Sequence, residues 1–189
     1  MPAWLWVLIG GAVALVVLVL ALVIWMKLRG RRTRQLKGGF GPEYDRTLRE
    51  TGDRRRAEQE LQARRERVAQ LQIRQLAWDG RSRFSAAWLA TQSRFVDAPA
   101  AAIRDAERLV DEAMGARGYP ASDFDQRTAD LSVDHPRVVA DYRAAHEIAM
   151  RSGRGQASTE ELRQAMVHYR AVFDELLEAS PAGKVEVRA

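Results

Sequence analysis

Three histidines are the side chains best suited by type to exchange a proton near neutral pH, and the chain has no cysteine to offer a thiol instead. His135 follows Asp134 and precedes Pro136 in an Asp-His-Pro run that reads as a helix start. An Asp–His pair at an exposed helix N-terminus could hold an anion or act as a general base. The plainer reading, preferred here, has Asp134 capping the helix and His135 polar and exposed. His146 lies four residues after Tyr142 on an apolar stripe, so it reads as a core histidine needing a hydrogen-bond partner from Tyr142 or a neighbouring helix. His168 stands beside Tyr169 but projects away from the Leu162, Met166 and Tyr169 face. No two histidines share the i,i+3 or i,i+4 spacing that puts two ligands on one helix face. A shared metal would need three separate elements to converge, and no metal site is expected.

The remaining search for chemistry finds no reaction motif. Without cysteine there is no disulfide framework, thiolate zinc site or iron–sulfur cluster. There is no Gly-x-Ser-x-Gly elbow, no phosphate-binding glycine loop with lysine and no dinucleotide fingerprint, so no cofactor is expected. Tyr119-Pro120 and Asp123-Phe124 could line an aromatic groove, although packing a turn between helices accounts for them as well.

The elements that carry these residues are helical. Phe84, Trp88, Thr91 and Phe95 recur at helical spacing, and Asp97-Ala98-Pro99 reads as an acid cap with proline in the first turn. The helix that follows places Ile103, Ala106, Val110 and Ala113 inward and stops at Gly118 and Pro120. Phe124, Thr128 and Leu131 make a short segment. Val138/Val139, Tyr142, Ala145/His146 and Ala149 form the next stripe, starting at Asp134. Ser158 and Glu161 form a capping box for a last helix with Leu162, Ala165/Met166, Tyr169, Val172/Phe173 and Leu176/Leu177 inward. About five helices and no alternating strand predict an all-α fold, with a small bundle over residues 81–180 and a loose tail over 181–189.

Upstream, residues 43–80 read as a charged helical stalk, weakest at Gly52, where Asp53 could cap a second start. A heptad track through Ala57, Leu61, Arg64, Val68, Leu71, Gln75 and Trp78 has polar residues at alternate core positions. That suits a solvated helix, with self-association into a homo-oligomer through the stalk as the alternative. Gly38-Gly39-Phe40-Gly41-Pro42 reads as a hinge closing a juxtamembrane segment, 27–42.

Ala3 to Met26 is a run of 24 residues without a charged side chain, long enough as a helix (about 36 Å) to cross a bilayer. Trp4, Trp6 and Trp25 flank it as interfacial anchors. Residues 1–26 are therefore expected to be an uncleaved transmembrane anchor. A secretory signal would need its cations before the apolar run and a small-x-small site after it. Lys27, Arg29, Arg31, Arg32, Arg34 and Lys37 follow the run with no acid among them. The positive-inside rule then places the N-terminus outside the plasma membrane and the rest in the cytoplasm, with the same cations available to anionic headgroups.

This block also explains the global charge of +5. Residues 38–189 hold 24 basic against 25 acidic side chains, 43–76 net +2 and 77–189 net −3. The high pI of 10.1 reports a topology signal, and no nucleic-acid partner is expected. Only three of the 30 basic residues are lysine, a bias typical of a GC-rich bacterial genome.

Phe40-Gly41-Pro42-Glu43-Tyr44-Asp45-Arg46, Thr51-Gly52-Asp53-Arg54-Arg55, Arg94-Phe95-Val96-Asp97, Leu131-Ser132-Val133-Asp134-His135-Pro136 and His168-Tyr169-Arg170 resemble an uncharacterised family of bacterial single-pass membrane-anchored helical proteins. The resemblance covers about residues 38–178 and implies a helical domain behind one transmembrane helix, with no activity attached. The expectation is a non-enzymatic module displayed from the lipid bilayer to a protein partner. A membrane-tethered sensor or enzyme using Asp134 and His135 is the alternative.

Overall fold

In the computed structural model, residue 20 and residues 33–178 are described. They are helical with no strand. The chain divides into two units, Met1–Gly39 and Phe40–Ala189. Of the first, Leu20 is helical and exposed, and residues 33–39 are helical. Among the described residues no helix is long and apolar enough to cross a membrane; the run expected to do so, residues 3–26, lies outside them apart from Leu20.

Among the described residues the second unit contains seven helices: α1 (Pro42–Thr51), α2 (Arg54–Ala69), α3 (Trp78–Arg94), α4 (Pro99–Arg117), α5 (Phe124–Asp134), α6 (Val139–Gly153) and α7 (Thr159–Glu178). Helix α4 packs on α3, α6 and α7, and α6 packs on α7. Its inner residues Ala102, Ile103, Ala106, Val110 and Ala113 are fully buried, as their spacing predicts. Short connections make α3 antiparallel to α4, and α6 antiparallel to α7. From α3, Trp88 stacks on Phe173 of α7 with ring centroids 4.7 Å apart, while Phe84 meets the same ring edge-on.

Local signals account for most helix ends. Asp53 accepts a hydrogen bond from the Arg56 amide, and Ser158 and Glu161 form the reciprocal capping box. At α4 the expected acid cap is absent: Ala98 holds the cap position with no side-chain bond, and Pro99, which needs no amide partner, opens the helix. Gly38 and Gly39 do not interrupt the chain, because glycine lowers helix propensity by about 1 kcal/mol without forbidding the conformation. The break falls at Gly41 alone, where φ is +49°, with Pro42 starting α1.

Residues 43–80 are not one projecting helix. α1 and α2 form a hairpin about Gly52, and α2 lies against α5. Ala57, Leu61 and Val68 of the heptad track are buried within the chain and Leu71 is partly so, whereas Trp78 is exposed, so the α2 part of that stripe is already used. The buried carboxylate of Glu43 joins α1 to Arg143 of α6, with Arg64 of α2 at 3.9 Å. Arg67 pairs with the buried Asp130 of α5 at 3.0 Å. After Ala69 the chain runs extended past the end of α4, where the Arg74 amide donates to the Arg117 carbonyl at 2.8 Å.

That crossing depends on Gly118, whose φ is +103° and whose added Cβ would lie 2.5 Å from the Gln72 carbonyl oxygen. Gly118→Ala would suffer both left-handed strain and a backbone clash. It is expected to lower unfolding free energy by at least about 2 kcal/mol in urea titration, whereas Gly115→Ala, with open space around its Cβ, should leave stability unchanged or raised.

Candidate functional site

Each histidine is committed to a carboxylate on another helix. His146 Nδ1 is 2.7 Å from Glu107 of α4, His168 Nδ1 is 2.7 Å from Asp141 of α6, and His135 Nδ1 is 3.0 Å from Glu175 of α7. The three do not meet in one place. Tyr142 and His146 share a cluster, whereas His168 lies on the α6–α7 seam and His135 at the end of α5.

The densest polar group lies where α4, α5, α6 and α7 approach. The Tyr142 hydroxyl donates to Asp111 at 3.0 Å, and Arg127 of α5 pairs with the same carboxylate at 3.2 Å. The Phe124 ring stacks on His146 with centroids 3.7 Å apart and tilts against Tyr142 at 4.9 Å. The Tyr169 hydroxyl is buried without a hydrogen-bond partner, close to the Glu107 carboxylate. Burial raises the Asp111 carboxyl above its ordinary value, against the opposing pull of Arg127 and the Tyr142 hydroxyl. Burial, helped by the neighbouring acids, raises both tyrosine hydroxyls, so they stay protonated, and that of Tyr142 donates to Asp111. Sequence spacing carries a signal for this cluster. Glu107 and Asp111 are four apart on α4, and Tyr142 and His146 are four apart on α6, which pairs the two sets in antiparallel register. The histidine and tyrosine are visible on their own; their acidic partners look like ordinary solvated charges until the two helices are set side by side.

Asp134-His135-Pro136 sits differently from its reading as an exposed helix start. Asp134 is the last residue of α5 and His135 its C-cap, with α6 beginning only at Val139. Leu131 and Val138 are drawn into the core on either side, which turns the chain here. Asp134 caps nothing; it accepts a hydrogen bond from the Tyr119 hydroxyl at 3.1 Å. His135 is 3% exposed, and its Nε2 is buried without a partner. Tyr119 thus packs the turn after α4. Phe124 lies over Tyr142 and His146.

Sequence reasoning missed Arg117. This side chain is completely buried at the end of α4 and donates to the Leu176 carbonyl of α7 at 3.0 Å. Its Nε and second terminal nitrogen have no hydrogen-bond partner. Its spacing carries the signal: Arg117 falls one turn after Ala113 and continues the inward face of α4, where an apolar residue would be expected.

Two surface grooves exist among the best-formed concavities, and neither is lined by a histidine. One of about 290 Å³ lies between α3 and α4, beside Thr91, Arg94 and Asp105. The other, about 450 Å³, lies between α2 and α5, beside Arg64, Arg67 and Asp125. Among the described residues no group of three His, Asp or Glu side chains is arranged to hold a metal ion. Of the headgroup cations, Arg34 and Lys37 are exposed; Lys27, Arg29, Arg31 and Arg32 lie outside the described residues, as do Trp4, Trp6 and Trp25. No protein-family model matches the chain, and no curated protein or solved structure is similar to it.

His135 provides a pH test. Burial pushes its imidazole below the ordinary value, outweighing the Glu175 hydrogen bond, and Arg117 acts in the same direction as burial. The folded state keeps it neutral while the unfolded chain takes up the proton. Stability should therefore be unaffected above about pH 6.5 and fall progressively below it. Thermal melts between about pH 8 and 5 should show that decline, and it should be shallower in His135→Asn.

Proposed function

We propose that this chain is a non-enzymatic, single-pass membrane protein that presents a helical interaction module to the cytoplasm. The observation that carries the non-enzymatic part is that His135, His146 and His168 each bind a carboxylate of a neighbouring helix, away from both grooves. Groups spent on joining helices are not free to meet a substrate. The sensor or enzyme alternative is weaker for the same reason, since Asp134 serves Tyr119 and His135 serves Glu175.

Membrane attachment rests on sequence: the uncharged run of 24 residues, its flanking tryptophans and the acid-free basic block after it. Membership in a bacterial family of such anchored proteins is part of the same proposal and rests on the quoted segments. A protein partner suits the open grooves and helix faces that the described residues offer.

The full chain, expressed in bacterial membranes, should remain in the pellet after alkaline carbonate washing, with a C-terminal reporter protected in the cytoplasm. Joint replacement Arg29→Glu, Arg31→Glu, Arg32→Glu and Arg34→Glu should lose that fixed orientation. Release of the unmodified chain by carbonate would overturn the anchor.

A further inference from the structure

Helix α3 lies at the margin of the bundle. Its buried face holds Phe84, Trp88 and Thr91. Trp78, Leu89 and Val96 fall on a different line, spaced 11 and 7 residues apart and thus three and two helical turns, with Val96 just past the helix end. They are 76%, 64% and 84% exposed. Three large apolar side chains on one line, including a tryptophan, are more than the scattered exposure any surface tolerates. Ser82, Ser85 and Ser93 lie beside this line and are exposed, and Arg81 and Gln92 flank it three residues after Trp78 and Leu89.

The charges around this face are asymmetric. Residues 78–94 contain Arg81, Arg83 and Arg94 against the single acid Asp79, a net of +2, whereas 95–189 net −5. On α7 the exposed arginines are matched within the helix, as in Arg163–Glu160 and Arg170–Asp174. On α3, Arg94 is held by Asp105, but Arg81 and Arg83 are exposed and form no ion pair among the described residues. A basic helix with an exposed tryptophan and leucine, on an otherwise acidic domain, matches a surface that is anionic and apolar just beneath.

We infer that the outer face of α3 docks on the interface of an anionic bilayer, with Trp78, Leu89 and Val96 entering the headgroup boundary and Arg81 and Arg83 contacting lipid phosphates. Tryptophan favours that depth, and arginines near such a surface are drawn to the anionic headgroups. The inference rests on the membrane reading in one respect: a short tether, residues 27–39, confines the domain near the lipid and makes a weak contact persist.

The absence of cysteine permits a direct test. Full-length Leu89→Cys and, as control on α7, Val167→Cys carry a nitroxide in vesicles of phosphatidylcholine with or without phosphatidylglycerol. Collision with oxygen and with a water-soluble nickel complex reports depth. The oxygen-to-nickel ratio at position 89 should rise several-fold when phosphatidylglycerol is present, stay low at position 167, and fall back when Arg81→Glu and Arg83→Glu are added. An aqueous label at position 89 in phosphatidylglycerol vesicles overturns the inference. So does a buried label that is insensitive to lipid charge, or one broadened by spin–spin coupling between copies, which would assign the face to a second chain. The label reads α3 whether or not residues 3–26 span, while carbonate washing reads the span alone, so the two failures are separable.

Discussion

The fold hangs on α4, a helix with neighbours on three sides. Alanines 102, 106 and 113 let α3, α6 and α7 approach closely, and Ile103 and Val110 fill the space between them. Arg108 and Glu112 still reach solvent on the uncovered side, but polar residues on the covered sides lose part or all of theirs. Glu107 and Asp111 must find donors on α6, and Arg117 must find a carbonyl on α7. The polar pairs thus fix register in a core that small apolar residues alone would leave free to slide. An unpaired alternative would strand a charge at a cost of several kcal/mol.

The same logic reaches the helical hairpin of α1 and α2. Its charge density makes it look solvated, yet Glu43 and Asp130 are buried acids tied to Arg143 and Arg67. These ties fasten the hairpin to α5 and α6. The segment upstream of α3 is consequently part of the domain, and the extended residues crossing the end of α4 hold it in place through Gly118.

Sequence periodicity was enough to read the all-α class, the inward faces of α4 and α7, and the caps at Asp53 and Ser158. These are local properties, set within one or two helical turns. What escaped reading was long-range. Asp134 and His135 carry the composition of a helix start, but the burial of Leu131 and Val138 on either side turns the chain there and makes the pair an ending. Glu43, Glu107, Asp111 and Arg117 cannot be told from surface charges until their partners are known. Those partners lie 16 to 100 residues away, from Asp111 and Arg127 to Glu43 and Arg143. Periodicity can place such a charge on an inward face, but its partner depends on a second helix.

Arg117 has a consequence beyond its hydrogen bond to Leu176. The C-terminal ends of α4, α5 and α7 converge around it, with Tyr119 reaching Asp134 and His135 reaching Glu175 beside them. Each helix end carries roughly half a negative charge from its unpaired carbonyls. The guanidinium therefore sits among backbone poles that would otherwise repel one another, an internal counterion supplied by the chain itself. Because cation and dipoles are buried within a few ångströms, dissolved salt cannot come between them. This end of the bundle should hold together as firmly in brine as in dilute buffer, while the arginine–glutamate pairs on the outer helix faces weaken.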